Sequence, residues 1–150
     1  MSLAPRSILL VEDNPDDVDL TLRAFRHAGI TSVQVVGDGV EAIDYLFAQG
    51  RYADRAGREL PAVVLLDLKL PLLDGHEVLR RIRANPHTQL LPVVILSSSV
   101  EEVDLRRSYR EGANSYVRKP VSYTEFVEAA RQLGLYWLVL NRTAPAESPP

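Results

Sequence analysis

A chain of 150 residues with a formal net charge of -3 and no cysteine is sized for one domain built on one core. These properties exclude a disulfide framework or thiolate metal site and give no basic footprint for nucleic acid, and the apolar runs are far too short for a membrane span. The N-terminus, Met1 to Arg6, lacks the apolar stretch of a signal peptide, so the expected location is the cytoplasm.

Beyond an N-terminal arm (1–6), one domain is expected over 7–140, with no internal repeat. Apolar, β-rich runs recur at Ile8 to Val11, Val33 to Val36, Ala62 to Leu66, Val93 to Leu96 and Tyr116 to Val117, each followed by a stretch of helical character. Strands alternating with helices in this way predict a parallel sheet covered on both faces. Asn14 and Pro15 read as N-cap and first residue of the first helix, with Asp16 and Asp17 placed where the helix dipole favours negative charge. Val18, Leu22 and Phe25 then repeat at helical spacing until Gly29 ends the helix. Capping boxes are expected at Asp74 to Glu77, Ser99 to Glu102 and Ser122 to Glu125, starting the helices after the third, fourth and fifth strands. The polar, glycine-bearing segment 49–61 predicts a surface extension, and the Pro-, Ala- and Ser-rich stretch 141–150 a disordered tail.

In a parallel α/β sheet, ligands collect outside the carboxyl ends of the strands. Glu12 and Asp13 follow the first strand, Asp67 the third, Ser97 to Ser99 the fourth and Lys119 the fifth, so carboxylates, hydroxyls and a cation fall on one rim. Singly, each acid reads as a cap or a solvated loop residue, and Lys119 as a surface lysine. Together, three carboxylates at the edge of a core repel one another unless a hard divalent cation joins them; oxygen ligation suits Mg²⁺, with Mn²⁺ as a substitute. Asp67 is then placed to act as a nucleophile toward a phosphoryl group. Mg²⁺, the Lys119 ammonium and the Ser97 hydroxyl would neutralise the three equatorial oxygens.

The motifs Ile8-Leu-Leu-Val-Glu-Asp13, Leu65-Leu-Asp-Leu-Lys-Leu-Pro71 with Asp74-Gly75, Pro92-Val-Val-Ile-Leu-Ser97 and Gly112-Ala-Asn-Ser-Tyr-Val-Arg-Lys-Pro120 together resemble the response-regulator receiver domain, the family of chemotaxis-type regulators. The resemblance runs from Ser7 to about Leu138 and implies a flavodoxin-like, doubly wound sheet of five parallel strands in the order 2-1-3-4-5. It implies Asp67 as phosphoacceptor and Glu12 and Asp13 as the acidic pair for the metal. It further implies the Lys69 carbonyl as a metal ligand, Ser97 as the switch hydroxyl, Tyr116 as the switch aromatic, Lys119 as the phosphate-binding lysine and a cis Lys119-Pro120 bond. Without it, Tyr116 reads as an ordinary half-buried strand aromatic. Glu12 stands where Asp is commoner in the family, and Ser97 where Thr is; Lys69, two residues past the acceptor, leaves the phosphoryl lifetime open.

Gly50-Arg-Tyr52, Ala113-Asn-Ser-Tyr116 and Tyr136-Trp-Leu138 are similar to the small response regulators paired with bacterial and cyanobacterial phytochromes. The expected function is therefore a stand-alone response regulator, catalysing only its own phosphorylation and dephosphorylation. Its expected partner is a sensor histidine kinase, a phytochrome or bacteriophytochrome, and its expected output is the face made by the fourth helix, fifth strand and fifth helix. Phe126, Ala130, Leu133, Trp137 and Leu140 form one apolar stripe, widened by Val127, Leu135, Leu138 and Val139, which predicts a homodimer through the last helix driven by burial of Trp137 and its neighbours. Three alternatives stand beside this reading. A haloacid-dehalogenase-like phosphatase would carry an acid two positions after the nucleophile, where Lys69 stands; a flavodoxin-like cofactor binder would need a phosphate loop where Glu12, Asp13 and Asn14 stand. The third is a phosphorylation-independent binding module.

Overall fold

The computed structural model describes residues 6–145; the expectations for the arm at 1–5 and the tail at 146–150 fall outside the described residues. Elements alternate as the periodicity predicts: β1 Ile8–Val11, α1 Pro15–His27, β2 Val33–Val36, α2 Gly39–Phe47, β3 Val63–Leu66, α3 Gly75–Ala84, β4 Val93–Ser97, α4 Glu102–Arg110, β5 Ser115–Arg118 and α5 Tyr123–Leu135. The five strands pair in parallel in the order β2-β1-β3-β4-β5.

Alternate residues of each strand serve opposite faces, so both faces must be covered. Leu9, Val11, Val64, Leu66, Val93 and Ile95 pack with Ala42, Ile43 and Leu46 of α2 and Val78, Leu79 and Ile82 of α3. Ile8, Leu10, Val63, Leu65 and Val94 pack on the other face with Ala24 and Phe25 of α1 and Ala130 of α5. The in-step register, Leu10 beside Val35 and Leu65 and Val11 beside Val36 and Leu66, brings the carboxyl ends of β2, β1 and β3 level.

The caps at Asn14, Asp74 and Ser122 form as predicted: Asn14 Oδ1 accepts from the Asp16 and Asp17 N–H groups, Asp74 Oδ1 from Glu77 N–H, and Ser122 Oγ from Glu125 N–H. Ser99 does not cap α4. That helix begins at Glu102 behind Glu101, which offers no side-chain cap; the Ser99 hydroxyl oxygen accepts instead from the Glu101 N–H, ahead of the helix, while its proton goes to Asp104.

The extension is ordered on the body rather than free. It opens with a 3₁₀ helix, Gly50–Arg55, pinned on α2 by Arg51 and Tyr52 hydrogen-bonded to Glu41 and by the Arg55 guanidinium over the Tyr45 ring. The Lys119-Pro120 bond is trans, since the described residues contain no cis peptide, and Lys119 is aimed by the pairing of its N–H with the Ser97 carbonyl at 2.7 Å. The last helix changes pitch: residues Tyr136–Leu140 form a π-helical turn. Trp137, Leu133 and Leu138 pack on the α1 side of the sheet, whereas Val139 and Leu140 remain 62% and 70% exposed, so the apolar stripe does not run unbroken to Leu140. Residues 141–145 form neither helix nor strand, and the Asn141 carbonyl accepts from the Arg6 guanidinium.

Gly75, the first residue of α3, lies against the carbonyl of Asp67; a β-carbon there would stand 2.2 Å from the Asp67 oxygen. Gly75→Ala is expected to cost about 1–3 kcal/mol of stability through forced backbone displacement, read as a lower urea midpoint with unchanged slope.

Candidate functional site

The site is assembled from residues that end strands. Glu12 and Asp13 directly follow β1, Asp67 follows β3, Ser97 closes β4 and Lys119 follows β5. Because β1, β3 and β4 are buried to their last residues, their polar side chains are delivered to the rim of a dry core, and Glu12, Asp67 and Ser97 are themselves buried. One carboxylate oxygen from each of Glu12, Asp13 and Asp67 lies within 4.8 Å of the others. Among the described residues no other cluster of three acidic, His or Cys side chains converges in this way. An all-oxygen donor set with one exposed member, Asp13, leaves room for water and fits a hard divalent cation such as Mg²⁺ or Mn²⁺.

Lys119 is the counter-charge. Its side chain is only 9% exposed, with Nζ 2.5 Å from Glu12 Oε1, 2.8 Å from Asp17 Oδ2 and 3.3 Å from Asp67 Oδ2. A surface lysine would not be held this way. Burial opposes its charge, but the hydrogen bonds to Asp17 and Glu12 and the field of Asp67 more than offset it, so its proton is held well above the ordinary lysine range. Glu12 shows the reverse balance: burial, aided by the field of Asp67, raises its carboxyl to about 7 despite the bond from Lys119 and the Asn14 N–H. Asp17 is a member of the site that its helical context concealed, since an acid in a first turn is already explained by the helix dipole.

Around this centre, the Lys69 N–H donates to Asp67 Oδ1 at 3.3 Å, fixing the acceptor carboxylate from the loop side. Lys69 itself is exposed. Ser97 Oγ accepts from the Ser99 N–H at 3.1 Å, and the half-buried Tyr116 donates its hydroxyl proton to the Ser99 carbonyl at 3.2 Å. All the predicted site residues therefore sit on one rim, Tyr116 one layer back. A cleft of about 760 Å³ lies elsewhere, beside Pro61 and Pro92 at the amino ends of β3 and β4. It is not near this chemistry.

The family model for the response regulator receiver domain matches residues 8–131. The chain belongs to the response-regulator receiver family. Among curated relatives, it is 43% identical over 93% of its length to 88% of the probable methanogenesis regulatory protein FilR2 of Methanothrix harundinacea, and 34% identical over 89% of its length to 90% of the response regulator Rcp1 of Synechocystis. Among solved structures, the phosphorylated cyanobacterial phytochrome response regulator RcpA superimposes with a TM-score of 0.86 at 35% identity, covering 93% of this chain and 99% of RcpA. The Mn²⁺-bound form of Rcp1 gives the same TM-score at 33% identity with the same coverages. The bacteriophytochrome response regulator AtBRR is 50% identical, with a TM-score of 0.73 over 93% of this chain and all of AtBRR. The fold class and the divalent-metal expectation thus stand, as does the likeness to the phytochrome response regulators; neither the phosphatase nor the cofactor-binding alternative is favoured. Receiver domains are signalling phosphoacceptors rather than enzymes acting on a separate substrate.

A divalent cation held by this cluster would bind the ionised form of Glu12, and binding would then release the proton that burial favours near pH 7 in the metal-free protein. Mg²⁺ affinity is expected to rise with pH by up to about tenfold per unit below that value and to level off above it. Calorimetric titrations across that interval check the slope, and Glu12→Gln should flatten it.

Proposed function

We propose that Asp67 is the phosphoacceptor of a response regulator served by a sensor histidine kinase, with a phytochrome as that kinase. The observation that carries the assignment is the convergence of the Glu12, Asp13 and Asp67 carboxylates with the Lys119 ammonium at the end of β3. An oxygen of Asp67 attacks the phosphorus of the kinase phosphohistidine; the new O–P bond forms as the N–P bond breaks, and the electron pair leaves on the imidazole nitrogen. A divalent cation held by Glu12, Asp13, Asp67 and the Lys69 carbonyl supplies positive charge for the transferring group. Lys119, drawn from Glu12, and the Ser97 hydroxyl each take a phosphoryl oxygen, while the Lys69 N–H keeps Asp67 in line. In dephosphorylation the same residues orient a water whose oxygen attacks the phosphorus as the Asp67 O–P bond breaks and its electron pair returns to the carboxylate, releasing inorganic phosphate, so the domain promotes its own phosphorylation and dephosphorylation and no other chemistry. The likeness to RcpA and AtBRR supports the phytochrome partner, and a cytoplasmic location accords with it.

The signal then passes through Ser97. A phosphoryl group brings nearly two negative charges beside a hydroxyl that otherwise accepts from Ser99, and the hydroxyl turns to donate to it. Tyr116, bonded to the Ser99 carbonyl, follows. The result is a changed surface on α4, β5 and α5. Acetyl phosphate with Mg²⁺ is expected to give a phosphoryl adduct by intact mass, absent in Asp67→Asn and absent when EDTA removes the metal. An adduct persisting in Asp67→Asn would overturn the assignment.

We further propose that two copies associate through the end of α5. Tyr136, Val139 and Leu140 are exposed within the π-helical turn, and burying such a patch gives the association its driving force. Trp137 packs on the chain's own core, so it supports this surface from beneath instead of forming its centre. Light scattering at micromolar concentration should give a dimer mass, and Val139→Asp with Leu140→Asp a monomer; a monomeric parent refutes the dimer.

A further inference from the structure

His76, in the first turn of α3, is buried, yet neither ring nitrogen has a hydrogen-bond partner at close range. Instead the ring stands between two carboxylates of the neighbouring helix: Nε2 is 3.6 Å from Asp104 Oδ1, and Nδ1 is 3.4 Å from Glu111 Oε2. The nitrogens face different acids, so the trio does not converge on a single ion. A ring with protons on both nitrogens attracts both carboxylates, one at each end of α4. The outer oxygens of the acids are also held. Asp104 Oδ2 accepts from the Ser99 hydroxyl at 2.6 Å, and Glu111 Oε1 accepts from Arg107 at 2.5 Å and lies 3.6 Å from Arg80. The Ser99 hydroxyl, followed by the His76 ring, keeps Asp104 below the ordinary carboxylate range.

These contacts matter because α4 has little else to hold it. Ser108 is its one buried residue, while Val103, Leu105 and Tyr109 are exposed. Its position is set by polar contacts to α3 and to the loop after β4, and that loop directly follows Ser97.

We propose that His76 is a positioning residue that clamps α4 in the unphosphorylated protein and releases it on phosphorylation, an inference that rests on the receiver reading of Asp67. The route is continuous. Ser97 Oγ accepts from the Ser99 N–H, the Ser99 hydroxyl donates to Asp104, and Asp104 faces His76. When the Ser97 hydroxyl turns to a phosphoryl oxygen, the Ser99 N–H loses its acceptor, Ser99 shifts, and Asp104 is drawn from the ring. The Glu111 end stays tied to α3 by Arg80, so α4 moves at its amino end.

The test uses the full chain free and with Mg²⁺ and beryllofluoride, a phosphoryl mimic. Amide exchange across 102–110 in the wild type is expected to accelerate on the order of tenfold with the mimic, a fold-change suited to the loss of one charge-assisted hydrogen bond. His76→Gln, which can serve only one of the two carboxylates as a donor, should exchange at the faster rate without the mimic and change little on adding it. The ring ¹⁵N signals of His76, identified by their absence in that variant, should move when the wild type binds beryllofluoride. A purely structural histidine would leave them in place. Should His76→Gln fail to fold, Asp104→Asn breaks the same contact from the exposed helix and should give the same fast exchange. Acetyl phosphate on the same wild-type sample separates the two readings: no adduct overturns the receiver assignment and this inference with it. An adduct with unmoved His76 signals, or with α4 exchange in the variants equal to the wild type, overturns the clamp alone.

Discussion

The structure turns on one electrostatic constraint, the neutralisation of acids gathered at the end of a dry sheet. Glu12 and Asp67 sit where strands buried on both faces run out, and each would be costly to ionise there alone. Lys119 resolves the conflict in the metal-free protein by touching both, with Asp17 sharing the load from α1. The balance is deliberately incomplete in its physics: Glu12 still holds its proton to about 7, so the cluster retains an appetite for added positive charge. A divalent cation would supply that charge, and a phosphoryl group adds negative charge that the cation and Lys119 together offset, so metal binding supports phosphoryl acceptance.

The remainder of the fold serves to hold that cluster at fixed separation. In-register pairing of β1 with β2 and β3 sets the level of Glu12 against Asp67, and Gly75 lets α3 press directly on the Asp67 backbone. On the other side, pairing extends one residue past β5, so the Lys119 N–H reaches the Ser97 carbonyl and the ammonium turns inward with an ordinary trans peptide. A family expectation of a cis bond is therefore unnecessary for aiming this lysine here.

What was legible in the sequence follows from what is local. Strand periodicity, the caps at Asn14, Asp74 and Ser122, and the strand-end placement of Glu12, Asp13, Asp67, Ser97 and Lys119 depend on neighbours in the chain, and all appear in the structure. Failures came where a tertiary partner outbid a local one. Ser99 has the spacing of a cap, but its hydroxyl accepts from the Glu101 N–H ahead of the helix and donates to Asp104. Asp17 looks like a dipole acid, but Lys119, 102 residues away, takes its carboxylate. Trp137 has the spacing of an exposed stripe, but the π-helical turn and the α1 face draw it inward. His76 gave no signal at all, because a lone histidine in a first turn has no pattern until α4 brings two acids to it.

The helices differ in how they are fastened, and the difference decides which can respond to a phosphoryl group. α1, α2, α3 and α5 each bury apolar side chains such as Phe25, Leu46, Ile82 and Phe126, and freeing even one costs about 1.5–3 kcal/mol. A helix held by several such residues cannot be moved by a single new hydrogen bond. α4 buries only Ser108 and is fastened through Ser99, His76 and Arg80 by polar contacts whose net worth is roughly 0.5–1.5 kcal/mol for a neutral hydrogen bond and somewhat more for a charged one. The bond that Ser97 can make to a phosphoryl oxygen is charge-assisted, worth roughly 1.5–3 kcal/mol, and so is large enough to exchange for one of these contacts but too small to strip a helix from the core. Phosphorylation chemistry confined to the end of β3 can therefore redirect α4 while leaving the scaffold that positions Asp67 unchanged.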